Sequence, residues 1–209
     1  MQQTQARVNI YALLSRILMQ ELDVQMLKMI KEDKNVLDFF PTLKEWAPLN
    51  EMSEDKLLAE YINPDFVNLT ILHLIPYESF YVRDDQMIET GGANPVTDMY
   101  SAYNFMVDYE ASRTVSSDHI GIEFEFMHHL CLAESKALEE GEMISVAEIR
   151  AVELDFLQKH LVKWAPLYLI NMKYEARTPL YYDAAEMALE FLLSDHEFLL
   201  DEIKQRDMV

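Results

Sequence analysis

The 209-residue sequence has few of the residues that form disulfides, phosphate-binding loops or membrane spans. Its one cysteine, Cys131, excludes an intrachain disulfide and favours a reducing compartment. Only four glycines are present, and the pair Gly91-Gly92 lacks the lysine and serine or threonine that would follow in a phosphate-binding loop. No apolar run approaches the ~20 residues that a transmembrane helix needs. These absences exclude a disulfide scaffold and argue against a P-loop protein and a membrane span.

Basic residues are also scarce in this chain. Lys and Arg number 17 against 37 Asp and Glu, which gives a formal net charge of -20 at pH 7. A charge of this size repels nucleic acid and anionic membrane surfaces and attracts basic ligands. We therefore expect no nucleic-acid partner. Two explanations of the acidity stay open: it keeps a methionine-rich and aromatic-rich surface in solution, or it attracts a positively charged peptide.

The composition favours helices over a sheet. Hydrophobic residues make up 50% of the chain, glycine is scarce, and Ala, Leu, Met, Glu and Lys are abundant. We predict an all-α fold, a single domain over residues 1–209 with roughly ten helices, although the length also allows two small lobes. The polar first residues, and Arg16 within the apolar stretch after them, argue against a signal peptide, so a cytoplasmic location is expected.

One long irregular loop is predicted near residues 75–95. This stretch contains two prolines, an aspartate pair and a glycine pair, and loops of such length are commonly functional or mobile. A helix is predicted from Pro95 to Ser112. Later in the chain, a helix from Ser145 to Trp164 is expected to end at Pro166, and a new helix is expected to start at Asp195.

The most distinctive helix follows Asp118 and His119. Asp118 is predicted to cap its N-terminus, and the helix is predicted to end near Gly141. At ~100° per residue, His119 and Glu123 fall within the apolar arc, and a buried carboxylate needs a partner. Two roles stay open for Asp118 and His119. They form a structural helix start, or they lie at the mouth of a groove, with Glu123 behind, where carboxylates meet the cationic side chains of a bound peptide.

The predicted loop carries a second candidate group, in which aromatic and acidic residues alternate. Its members either anchor the loop to the body or recognise a ligand through stiff aromatic area and a carboxylate. They are Tyr77, Glu78, Ser79 and Tyr81. Trp164 and His160 are predicted to lie on one helix, where packing is the favoured role of the tryptophan.

Metal and catalytic sites are not supported by the spacing of ligand-type residues. A di-iron carboxylate bundle needs two Glu-x-x-His motifs, and only Glu125-x-x-His128 is present, on the polar arc of its helix. Cys131 with His128 and His129 lacks the paired cysteines of a structural zinc site, and no oxyanion-hole signature supports a cysteine hydrolase. We therefore expect no metal, no cofactor and no enzymatic activity.

Four segments, in this order along the chain, resemble the TorD/DmsD/NarJ family of redox-enzyme maturation chaperones. The family often has a proline just before Asp-His, where this chain has Ser116-Ser117. Together the segments span most of the sequence, and it is their order and spacing that carries the resemblance. They are Pro76-Tyr77-Glu78-Ser79-Phe80-Tyr81, Asp118-His119 with the Glu-Phe-Met helix, His160-Leu161-x-x-Trp164-x-Pro166, and Thr178-Pro179-Leu180-Tyr181-Tyr182-Asp183-Ala184-Ala185.

The resemblance implies a cytoplasmic, system-specific chaperone without enzymatic activity. Such a protein binds the N-terminal leader, often a twin-arginine signal, of an apo molybdopterin oxidoreductase and holds it for cofactor insertion. The implied peptide-binding residues are Asp118, His119, Glu123, Tyr77, Glu78, Ser79, Tyr81 and Trp164. A generic helical adaptor and a weak guanine-nucleotide-binding protein stay open as alternatives. A homodimer formed by domain swapping through the segment before Asp118 also stays open.

Overall fold

The computed structural model describes residues 2–91 and 94–207. Its regular structure is helical. Within these residues it contains no β-strand, and one isolated antiparallel bridge joins Tyr77 and His119. The predicted all-α class is therefore confirmed. The α-helices are α1 (Gln2–Met19), α2 (Val24–Glu32), α3 (Lys34–Leu37), α4 (Pro41–Lys44), α5 (Ala47–Glu51), α6 (Glu54–Leu57), α7 (Asn63–Val67), α8 (Glu78–Val82), α9 (Thr97–Ala102), α10 (Tyr109–Ser112), α11 (Ile120–Glu140), α12 (Met143–Lys159), α13 (Leu161–Glu175) and α14 (Pro179–Asp207), with π-helical segments at Leu58–Ile62 and Asn68–His73.

The chain divides into two compact units. The first comprises residues 1–19, 77–165 and 191–209, and the second comprises residues 20–76 and 166–190. The prediction of a single domain over residues 1–209 stays a prediction. All eight residues implied as peptide-binding belong to the first unit.

The first unit is built on the close packing of α1 against α11. Gly121 makes the close approach possible, because a Cβ atom at this position would lie 2.7 Å from Met19 Cβ. The Ser15 hydroxyl donates a hydrogen bond to the carbonyl oxygen of Gly121 at 2.8 Å. About one turn earlier on α1 and one turn later on α11, the rings of Tyr11 and Phe124 meet with their centroids 5.7 Å apart. The first turn of α11 is thereby fixed against α1.

The second unit uses two buried aspartates to hold its chain turns. Asp65 accepts hydrogen bonds from the backbone N–H groups of Arg177 and Thr178, at 3.0 and 2.7 Å, just before α14 begins. Asp183, on α14, accepts a hydrogen bond from the backbone N–H of Leu43 in the short helix α4 at 2.8 Å. The Thr-Pro-Leu-Tyr-Tyr-Asp segment therefore has a structural role here. Its threonine donates to Asp65 through both its backbone N–H and its hydroxyl, and its aspartate accepts from a backbone N–H that the short helix α4 leaves unpaired.

Several predicted helix boundaries are wrong. The helix predicted from Pro95 to Ser112 is divided into α9 and α10, because Asn104 adopts a positive φ of 54° and Asp108 caps α10 by accepting from the Ala111 N–H. The predicted irregular stretch contains the single-turn helix α8. Asp195 does not start a helix but lies inside α14, where it is buried.

The junction before Trp164 also differs from the prediction. His160 ends α12 with φ -121° and ψ -92°, so Trp164 belongs to the next helix and not to that of His160. Pro166 lies inside α13, which continues to Glu175. The proline removes one i to i−4 backbone hydrogen bond from α13 without ending it, so the predicted helix end at Pro166 is wrong. The predicted end of α11 is confirmed, since Gly141 caps it with a φ of 75°.

Candidate functional site

Asp118 is the centre of a buried polar cluster in the first unit and does not cap α11. Its Oδ2 atom accepts a hydrogen bond from the backbone N–H of Ser79 at 2.7 Å, and its carbonyl oxygen accepts one from the N–H of Glu78 at 3.0 Å. Its Oδ1 atom accepts from Asn94 Nδ2 at 2.9 Å and lies 2.5 Å from the hydroxyl oxygen of Ser116. The side chain is fully buried. One carboxylate thus ties together three separate parts of the chain.

The same cluster closes the loop that follows α8. The backbone N–H of Glu89 donates to Ser79 Oγ at 2.9 Å. The carbonyl oxygen of Glu89 accepts from Asn94 Nδ2 at 3.1 Å and lies 2.6 Å from Ser116 Oγ. We call Ser79, Glu89, Asn94, Ser116 and Asp118 the Asp118 hub. The described residues between α8 and α9 form no helix or strand that would satisfy their backbone groups, so these side-chain bonds help to hold the segment in place.

His119, and not Asp118, caps α11. Its Nδ1 atom accepts a hydrogen bond from the Gly121 N–H at 3.1 Å, and its ring meets the edge of Tyr77 with centroids 5.0 Å apart. Burial lowers the pKa of His119 to about 4, so the ring is neutral at pH 7 and can accept this bond. The Tyr77 hydroxyl accepts a hydrogen bond from the Val115 N–H at 3.3 Å. These two rings join the approach to α8 to the start of α11.

Two further carboxyl groups lie deeper in the same unit. Glu78 contacts His160, with Oε2 2.9 Å from Nδ1. Glu123 accepts a hydrogen bond from Trp164 Nε1 at 3.3 Å, and its Oε1 atom is buried without a hydrogen-bond partner among the described residues. Burial, reinforced by the charges of Glu78 and Asp118, raises the pKa of Glu123 well above its ordinary value. Burial of this carboxyl group therefore favours its protonated, neutral form.

The structure brings the sequence-predicted residues together but places nearly all of them below the surface. Asp118, His119, Glu123, Glu78, Ser79, Tyr77 and Trp164 are buried. Tyr81 is half-buried, and its ring packs on Trp164 with centroids 5.3 Å apart. The expected position at the mouth of an open groove is not observed, because the carboxylates are engaged by backbone, amide and ring donors of the protein itself. Direct contact of these residues with a peptide stays a prediction.

The segment attached to the hub, residues 82–115, exposes the apolar side chains that a binding surface needs. Met106 is 89% exposed and Met87 is 63% exposed. The segment carries six acidic residues and only two arginines. We call its exposed large apolar side chains the recognition surface; they are Val82, Met87, Tyr103, Met106, Tyr109 and Val115. This surface was not predicted from the sequence, because half of its members fall within one predicted helix, from Pro95 to Ser112.

Comparison with known proteins identifies the family. A family model described as nitrate reductase delta subunit matches residues 31–169. The chain belongs to this family. It is 26% identical over 216 residues to the chaperone protein TorD of Vibrio cholerae serotype O1 strain M66-2, covering 95% of this chain and 94% of that protein. It is 22% identical over 176 residues to the chaperone protein TorD of Photobacterium profundum, covering 84% of this chain and 79% of that protein.

A relative with a different name is similar to part of this chain. The chain is 29% identical over 100 residues to the perchlorate reductase assembly chaperone protein of Dechloromonas aromatica strain RCB, and the match covers 48% of this chain and 44% of that protein. No solved structure gives a significant match. The expectation of a redox-enzyme maturation chaperone, and not an enzyme, is confirmed by the family and these relatives. In the part of the chain that the structure describes, no helix is both long and apolar enough to cross a membrane.

A second buried cluster of charged residues in this protein lies around Arg7. Its guanidinium group is 2.5 Å from Glu134, 2.6 Å from Glu153 and 2.5 Å from Asp195. Burial raises the pKa of Glu153 to about 7. Cys131 lies beside Glu134 and Glu153, and their possible ligand atoms are within 4.8 Å of one another, a spacing that could hold a metal ion. Because both carboxylates already bind a guanidinium cation, the cluster is accounted for as a structural ion network.

Proposed function

We propose that this chain binds the N-terminal leader of an apo molybdopterin oxidoreductase in the cytoplasm and holds it until the cofactor is inserted. The family supports a maturation role, and one relative is named for the assembly of a particular redox enzyme. A leader of this class carries an arginine pair and an apolar stretch. It therefore requires an acidic surface with adaptable apolar contacts.

The recognition surface is the observation that carries this proposal. Methionine side chains repack around different apolar sequences, and tyrosines add rigid contact area. Acidic residues of the same segment, such as Asp84, Asp98 and Glu110, supply partners for arginine. The net charge of -20 would draw a basic leader toward the protein before contact.

In this proposal the Asp118 hub supports binding indirectly, through the conformation of the loop. Ser79, Asn94, Ser116 and Asp118 are buried, and Glu89 takes part through its backbone. The hub would therefore act by holding residues 79–91 in one conformation and not by meeting the ligand in this state. A fixed loop loses less conformational entropy when a peptide binds, which increases affinity. Among the residues implied by the resemblance, Tyr81 is partly exposed, and in this proposal it would contact the leader directly.

A calorimetric titration with synthetic leader peptides tests the proposal. The peptides come from redox enzymes of the same organism, each with a version in which glutamine replaces the arginine pair. Met106→Ser and Met87→Ser should each weaken binding about fivefold, since partial burial of one methionine is worth about 1 kcal/mol. Met29→Ser, at an exposed methionine of the second unit, is the matched control and should leave binding unchanged.

The outcomes separate this function from its rivals. Loss of affinity on replacing the arginines and on changing the recognition surface supports leader binding. Failure of every leader to bind a folded protein favours the generic adaptor. Saturable binding of guanine nucleotide at physiological salt would favour the nucleotide-binding alternative. Size-exclusion chromatography tests the homodimer, which stays a prediction.

A further inference from the structure

A cleft of about 300 Å³ lies in the first unit between the start of α12 and the end of α14. It is separate in sequence from the Asp118 hub and from the recognition surface. Four of its lining residues are apolar, and the other two form an ion pair. The lining residues are Met143, Val146, Ala147, Arg150, Glu202 and Ile203.

The cation in this cleft is already neutralised. Arg150 donates through Nε to Glu134 at 2.7 Å, pairs with Glu202 through a terminal nitrogen and lies over the Phe198 ring. These three contacts fix the guanidinium, whose side chain is only 18% exposed. Glu202 is the more exposed member of the pair. Arg150 thus lies between two carboxylates, and of these two it is the carboxylate of Glu202, 36% exposed, that a ligand can reach.

The chain around the opening is acidic as well. Three glutamates, Glu139, Glu140 and Glu142, precede Met143 within one turn, and Asp201 precedes Glu202. All four side chains are exposed. Lysine is present nearby at two positions, and each lysine pairs with one of these acids at 4.0 Å. The surroundings of the cleft thus carry a net negative charge beside an apolar interior.

From this arrangement we infer that the cleft binds a short segment of a partner protein in which an apolar side chain stands next to an arginine or lysine. The apolar side chain would lie between Met143, Ala147 and Ile203, and the cation would pair with Glu202. A second copy of this chain fits poorly, because two acidic rims would face each other at close range. Met143, which is 62% exposed, provides an adaptable wall for the entering side chain.

This site goes beyond leader binding, and the two can be tested in one experiment. Methyl-¹³C-methionine NMR of the full chain reports on both surfaces, because Met143 lines the cleft while Met87 and Met106 belong to the recognition surface. The probe is a capped ten-residue peptide of leucine, alanine and arginine. The control probe has glutamate at every arginine position.

The arginine peptide should shift the Met143 methyl resonance saturably, and the glutamate peptide should not. Glu202→Gln should weaken binding about fivefold, as expected for one exposed charge pair. Ala147→Leu, which fills the cleft, should weaken it more than tenfold. Ile144→Ser is the matched control, because Ile144 is exposed on the same helix but does not line the cleft.

Four results would overturn the inference. These are an unshifted Met143 resonance, equal binding of the two peptides, equal effects of Ala147→Leu and Ile144→Ser, and a Met143 shift that depends on protein concentration without peptide, which would assign the cleft to a second copy. Leaders that shift Met87 and Met106, together with an arginine peptide that leaves Met143 unshifted, would overturn the cleft and support the leader proposal. An arginine peptide that shifts Met143, together with leaders that leave Met87 and Met106 unshifted, would do the reverse.

Discussion

Replacing Asp118 by asparagine tests whether the Asp118 hub fixes the loop. The substitution preserves the size of the side chain but converts one acceptor oxygen into an NH₂ donor. If the NH₂ group replaces Oδ2 it faces the Ser79 N–H, and if it replaces Oδ1 it faces the amide of Asn94. Either orientation places two donors together in a fully buried site.

The magnitude follows from the bonds that are lost. A hydrogen bond to a charged group contributes about 1.5–3 kcal/mol, and a buried donor left unpaired costs about 1–3 kcal/mol. We expect Asp118→Asn to lower the free energy of unfolding by about 2–4 kcal/mol. Part of this should appear as local opening of residues 79–91, since these backbone groups have few other constraints.

Urea unfolding followed by circular dichroism measures the global loss, and hydrogen exchange of a fragment covering residues 79–91 measures the local one. Exchange there should accelerate more than tenfold. Asp108→Asn is the control: it changes an exposed aspartate that caps α10, where asparagine caps about equally well, so stability should change by less than about 0.5 kcal/mol. If Asp118→Asn behaves like Asp108→Asn in both measurements, the hub does not organise the loop.

Two other residues of the first unit give predictions of a different kind. Gly121→Val should lower the free energy of unfolding by about 1–3 kcal/mol in urea titrations, because its Cβ would overlap Met19. Ala133→Ser, on the exposed side of the same helix, should leave the free energy of unfolding nearly unchanged. Equal effects of the two substitutions would contradict the close approach of α1 and α11. The pKa of Glu153 is raised from 4.5 to about 7, so the stability that its protonation provides is complete below pH 4.5 and is lost as the pH rises to 7. Unfolding measured from pH 4.5 to pH 8 should therefore show the unchanged protein losing about 3 kcal/mol relative to Glu153→Gln, and parallel profiles would contradict it.

Periodicity and composition were enough to predict the helical class and the long helix α11. The apolar residues of α11 recur at helical spacing, and Gly141 supplied a clear end signal. The segment after Tyr77 was harder to predict, because its conformation depends on bonds between residues up to 40 positions apart. Local pattern cannot show that Asp118 accepts from Ser79 when it equally resembles a helix cap. The same ambiguity assigned the cap to Asp118 when His119 provides it.

The candidate site was found by resemblance to a family and not by periodicity. Tyr77, Glu78, Asp118 and His119 are indeed neighbours, as their shared membership of the family motifs implied. Among the charged and polar candidate residues, the sequence predicted burial only for His119 and Glu123. The Arg7 cluster was missed entirely, because its carboxylates come from three helices more than 100 residues away along the chain and no sequence spacing connects them.

The two buried networks stabilise their buried carboxylates in different ways. Around Arg7, a guanidinium cation balances carboxylates that lie between packed helices, whose backbone groups are already paired. Around Asp118, uncharged N–H and O–H donors from α8, from the loop after it and from the approach to α11 surround a single carboxylate. An apolar core could replace the first network with little loss of stability. It could not replace the second, since the loop would keep unpaired backbone groups. Burying Asp118 thus holds residues 79–91 in place while Met87 remains exposed.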